Sequence, residues 1–96
     1  VRRQFSIAFG RGAPSIDVLL YRPVAAAKAP TFLGANFLGN HTVHPDPAIR
    51  LPLFTFTGAM DAALPESRAS DATRGFHADR WAIGEMIARG FAFATF

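Results

Sequence analysis

Cysteine is absent from this chain. That excludes a disulfide framework, a thiolate nucleophile and any zinc site built on sulfur. No stretch approaches the roughly 20 consecutive apolar residues of a membrane-spanning helix, so no membrane partner is expected. The opening residues, VRRQFSIAFG, lack the basic-then-apolar pattern of a signal peptide and read as a strand. Clusters of positive charge are missing as well. The formal charge is +3, but it rests mainly on scattered arginines, of which only Arg2 and Arg3 adjoin. Nucleic-acid binders gather Lys and Arg with interleaved aromatics. A solvated surface accounts for this pattern, and no nucleic-acid partner is expected.

The signatures of several chemistries are missing too. Neither G-x-G-x-x-G nor a Walker A sequence occurs. Gly10 and Gly12 follow a strand but lead into another strand, where a nucleotide loop would lead into a helix. Ser6, Ser15, Ser67 and Ser70 all lack the strand–turn–helix setting of the G-x-S-x-G elbow. Asp61, Glu66, Asp71 and Asp79 are spread through a loop and a helix start, so nothing fixes two of them at a glycosidase separation. His41 and His44 form an H-x-x-H pair. Metal binding would need further ligands, and the prolines beside His44 argue against a rigid helical pair. Hydrogen-bonding loop histidines are the reading, with no metal and no cofactor.

What is present is a core. Half of the residues are hydrophobic and 10 are phenylalanine, which marks a globular chain. Residues 3–9 alternate, Phe5, Ile7 and Phe9 against Gln4, Ser6 and Ala8, as a half-buried strand does. Turn residues 10–15 lead to a second strand at 16–21, giving an antiparallel hairpin. A small-residue loop at 23–29 precedes a third strand at 31–36, apolar on both faces. Residues 79–90 read as a helix with Asp79 as its cap, and Ile83, Met86 and Ile87 on one stripe. Gly84 inside it would allow close packing on the sheet, and Gly90 would end it. Residues 91–96 form a buried strand. The strand–helix–strand unit predicts parallel pairing through a right-handed crossover. Residues 37–78 carry Pro45, Pro47, Pro52 and Pro65 without clear periodicity, and LPLFTFTG is the candidate there for extra structure. The run FAFATF closes the chain with no turn or polar tail. The expectation is therefore a segment, residues 1–96, of a larger α/β domain.

Two stretches concentrate small, amide and aromatic residues: GANFLGNHTV at 34–43 and TRGFHADRW at 73–81. Singly, each has a plain structural account, with glycine and asparagine turning the chain and Trp81 covering a core edge. In order, IDVLLYRP, then TFLGANFLGNHTV with DPAI shortly after, then RGFHADRWAIGEMIARGFAFATF, the chain resembles carbohydrate esterase family 15, the glucuronoyl esterases, in its bacterial branch. The likeness covers most of residues 16–96, with 51–67 unmatched. Ala48 stands where the family usually has glycine, and Ala82 where proline often follows the tryptophan.

The resemblance implies an α/β fold, namely the N-terminal part of an α/β-hydrolase, with a hairpin leading into a strand–long loop–helix–strand unit. It implies a serine, histidine and acid mechanism without metal or cofactor, and a substrate in which glucuronic acid of xylan is esterified to lignin alcohols. The family's catalytic residues lie beyond the equivalent of Phe96, so no catalytic residue is expected in this segment, and the segment alone should be inactive. Asn36, Asn40 and His41 are expected to support the pocket first and to contact substrate second, with Phe37, Gly39, Arg74 and Trp81 beside them. The whole protein is expected to be secreted or periplasmic. Alternatives are another α/β-hydrolase esterase or peptidase, and a non-catalytic carbohydrate-binding or interaction module.

Overall fold

The computed structural model describes residues 1–53 and 68–96. The candidate run LPLFTFTG falls mostly outside them. The chain divides into two compact units, Val1–Ala35 with Ala82–Phe96, and Asn36–Trp81.

The first unit is a sheet. Strand β1 (Arg2–Ala8) and strand β2 (Ser15–Tyr21) form the predicted antiparallel hairpin. Phe5 faces Val18 and Ile7 faces Ile16 on one side of the pair. On the other side the Ser6 hydroxyl donates to the Asp17 carboxylate. Strand β3 (Thr31–Gly34) and strand β4 (Ala92–Thr95) pair in parallel, as expected, starting where the Ala92 N–H donates to Pro30 O at 2.8 Å. The strand order is β1-β2-β4-β3, with β2 and β4 antiparallel.

Burial follows that order. Strand β4 is flanked on both sides, and all of its residues are buried, Phe93 at 2% exposure. Leu19 on β2 is also fully buried, and each of these two side chains contributes roughly 2–3 kcal/mol by leaving water. The edges behave differently. Phe5 and Ile7 were expected to be half-buried but are 45% and 44% exposed, because β1 is an edge strand. Strand β3 ends at Gly34, two residues short of the predicted end, and its Phe32 and Leu33 are exposed.

The predicted helix over 79–90 is two helices. Helix α1 (Ala78–Trp81) belongs to the second unit, and helix α2 (Ile83–Ala88) to the first. Between them Ala82 takes φ 38°, a left-handed conformation that costs an L-residue about 1–2 kcal/mol. Alanine is the strongest helix former, so the break comes from the chain's context and not from this residue. Asp79 is not the cap; it sits inside the first turn of α1. Ile83 is buried as predicted, with Met86 and Ile87 half-buried. Gly84 does not meet the sheet: a Cβ placed there would find nothing within 4 Å. The end of α2 is as predicted. Gly90 turns left-handed, its N–H reaching Ile87 O at 3.0 Å while the Phe91 N–H reaches Met86 O at 3.0 Å, the paired bonds of a Schellman ending.

The second unit is made of turns around Leu38, His41, Thr42, Val43, Ile49 and Thr73, all buried. Every candidate site residue falls within it.

Candidate functional site

Asn36 and Asn40 bracket the turn that follows β3. The Asn36 amide donates from Nδ2 to Asn40 Oδ1 at 2.9 Å, closing the segment on itself. A tight 3-10 turn then runs over Asn40–Thr42, with both the backbone N–H and the hydroxyl of Thr42 donating to Gly39 O, at 3.1 and 2.9 Å. Gly39 opens that turn at φ 93°. A Cβ there would lie 2.9 Å from Pro52 Cγ and 3.1 Å from His41 Nδ1. The position therefore admits only glycine, for its backbone angle and for its missing side chain.

His41 is fully buried. Its backbone carbonyl accepts the Gly75 N–H at 2.9 Å, and the next carbonyl, of Thr42, accepts the His77 N–H at 2.9 Å. These bonds seat residues 41–42 against residues 75–77. The imidazole adds a third tie, Nε2 to Thr73 Oγ1 at 2.8 Å. Thr73 belongs to a second 3-10 turn, Asp71–Thr73, where its hydroxyl donates to Ser70 O at 2.9 Å and accepts the Ser70 N–H at 3.1 Å.

A third turn is joined by Arg74. Its Nε pairs with Asp71 at 2.6 Å, and its Nη1 donates to Ile49 O at 2.7 Å and Asp46 O at 3.4 Å. Those carbonyls belong to the DPAI turn, which the Asp46 carboxylate holds by accepting the Ala48 N–H at 2.9 Å. The planar guanidinium fits this work because it spreads several donors over two segments.

Burial first, and the Arg74 charge second, push the His41 imidazole down from its ordinary 6.5 to about 4. It is neutral at pH 7. His44 is used locally, its Nδ1 accepting the Asp46 N–H at 3.1 Å. Among the described residues no group of three His, Cys, Asp or Glu side chains is placed to hold a metal ion.

The seven sequence candidates therefore divide. Asn36 and Asn40 meet each other, Gly39 packs on His41, and Arg74 bears electrostatically on His41. Phe37 turns to solvent, 75% exposed, and Trp81 is half-buried at the end of α1. Sequence reasoning missed Thr73, the residue that connects His41 to the second turn. Its signal was the S-x-x-T spacing of Ser70 and Thr73, which marks a helix or turn start.

No protein-family model matches the chain. It is 39% identical, over 99% of its length, to a carbohydrate esterase from an unknown prokaryotic organism, of which it covers 23%. Its fold matches a promiscuous CE15 esterase from a marine bacterial metagenome with a TM-score of 0.78 and 36% identity, over 96% of this chain and 23% of that one. It also matches a glucuronoyl esterase from Solibacter usitatus, with a TM-score of 0.74 and 35% identity, over 98% of this chain and 24% of that one. The chain thus spans about a quarter of the length of the relatives it matches. In sequence and in fold the chain is similar to carbohydrate esterases of family 15, and its mixed sheet and helix match the N-terminal part of those α/β-hydrolases.

Proposed function

We propose that the protein carrying this chain is a serine-type glucuronoyl esterase, which hydrolyses the ester joining glucuronic acid of xylan to lignin alcohols. The observation that carries this reading is the match along nearly the whole chain to a carbohydrate esterase, at 39% identity. The likeness to the Solibacter enzyme supports glucuronate as the acyl group. In α/β-hydrolases the loop near the first strands lies beside the nucleophile and supplies backbone N–H donors to the oxyanion. Such a donor is worth roughly 3 kcal/mol if it is held still. The Asn36–Asn40 bridge and the buried His41 are suited to holding a loop still. In this reading serine, histidine and acid come from the rest of the protein, and residues 36–41 position the backbone beside them. Ester hydrolysis by such a set needs no cofactor. A plant-wall polymer is an extracellular substrate, which supports a secreted or periplasmic protein.

A second reading is an esterase of broader acyl range, favoured by the metagenomic relative, which is described as promiscuous. The whole protein should be assayed on benzyl glucuronate and on simple acetyl esters, with and without a serine-directed phosphonate. The proposal expects turnover of the glucuronate ester, abolished by the phosphonate. Turnover confined to acetyl esters would favour the second reading. Activity that survives the phosphonate would overturn the serine mechanism.

A further inference from the structure

Thr73 has one hydroxyl proton, and it goes to Ser70 O, which can only accept. The oxygen is left to accept from the Ser70 N–H and from His41. The His41 proton therefore sits on Nε2, and Nδ1 is a bare lone pair. That atom is buried and has no hydrogen-bond partner among the described residues. Gly39 lies against it, with its absent Cβ only 3.1 Å away.

We propose that His41 is the positioning residue of the Asn36–Asn40 loop, working only as the neutral Nε2–H imidazole, and that a proton arriving at Nδ1 unseats it and the loop together. Three features support this. The Nε2 donor ties the turn carrying Asn40 to the turn carrying Thr73. A proton on Nδ1 would be a buried donor with no acceptor among the described residues. The resulting cation would also face Arg74, whose charge already disfavours protonation of His41. Among the described residues, the other titratable groups of these turns have partners of their own, the His77 ring lying edge-on to Phe76. Asp71 is engaged with the Arg74 guanidinium, Asp46 with the Ala48 N–H, and His44 with the Asp46 N–H. Where it concerns turnover, this inference rests on the esterase reading; where it concerns the loop, it does not.

The test uses the whole protein and four variants: His41→Gln, which can place an amide N–H near the Nε2 position but does not titrate; His41→Asn, which is too short; Thr73→Ser, which keeps the hydroxyl; and Thr73→Val, which removes it. Denaturant midpoints are measured from pH 4 to pH 8, with kcat and KM on the ester at pH 7. The proposal expects the wild type and Thr73→Ser to lose stability as pH falls below about 6.5. His41→Gln should show a flatter profile in that window and keep kcat within a few-fold. His41→Asn and Thr73→Val should each lower kcat at least tenfold with little change in KM, and combining them should add little more. An unchanged acid limb in His41→Gln would overturn it. So would His41→Gln as damaging as His41→Asn, or additive losses in the double variant. If the whole protein hydrolyses no ester, the esterase reading fails while the pH profiles still judge His41.

Discussion

Gly39 and Gly84 show how differently two glycines of one chain are constrained. Gly39 has φ 93°, and a Cβ there would press on Pro52 and on the His41 ring. Gly84 is helical, and a Cβ there would meet nothing within 4 Å. Gly39→Ala should therefore destabilise the whole protein by about 2–3 kcal/mol, through backbone strain and overpacking. Gly84→Ala should stabilise it by about 0.5–1 kcal/mol, through helix propensity alone. Urea unfolding of both variants checks the pair. Equal effects at the two sites would contradict the assigned geometry. At the same scale, His41 carries a pH dependence whose sign is fixed by its lowered proton affinity. Its value falls from 6.5 to about 4 on folding, so between these values the unfolded chain binds more protons. The contribution, on the order of 3 kcal/mol, is complete above about pH 6.5 and is lost as pH falls through about 4.

Among the elements, regular strands and the Gly90 helix ending were readable because their signals are local. Alternation sets β1 and β2, and a glycine after an apolar stripe sets the end of α2. The break at Ala82 carried no local signal, since alanine favours helix. The turns of the second unit were legible only as composition. Their cohesion comes from side chains meeting across long sequence separations, such as His41 with Thr73 and Arg74 with Ile49 O, and spacing does not encode such contacts. Arg74 shows what that cohesion rests on. Its side chain is only 11% exposed and serves Asp71, Asp46 and Ile49 at once. Arg74→Lys keeps the charge but not the planar fork, leaving carbonyls short of a donor. It should cost about 2 kcal/mol, read from a denaturant midpoint. A shift below about 0.5 kcal/mol would show that the DPAI turn holds itself.

For the molecule as a whole, the likeness to family 15 esterases was legible from the order of motifs, and the sheet agrees with it: a hairpin, then a parallel pair. The exposure of Phe5 and Ile7 was not foreseen. Strand alternation and register put Phe5, Ile7 and Leu33 on one face of the sheet, 45%, 44% and 69% exposed. Alternation tells which residues share a face, but not whether that face is covered. The same holds for the candidate site. The sequence pointed to residues 36–41 and, within TRGFHADRW, to Arg74 and Trp81, but not to Thr73, whose hydroxyl braces the His41 ring. The measurement that tests the central claim most directly is Asn40→Ala in the whole protein, with kcat on benzyl glucuronate and a denaturant melt on the same sample. Removing Oδ1 breaks the bridge from Asn36, and a loop displaced by about 1 Å beside a developing oxyanion loses on the order of a hundredfold in kcat. The melt should shift by only about 1–2 kcal/mol. An unchanged kcat would contradict the account, and would leave the Asn36–Asn40 bridge as a strand ending with no part in ester hydrolysis.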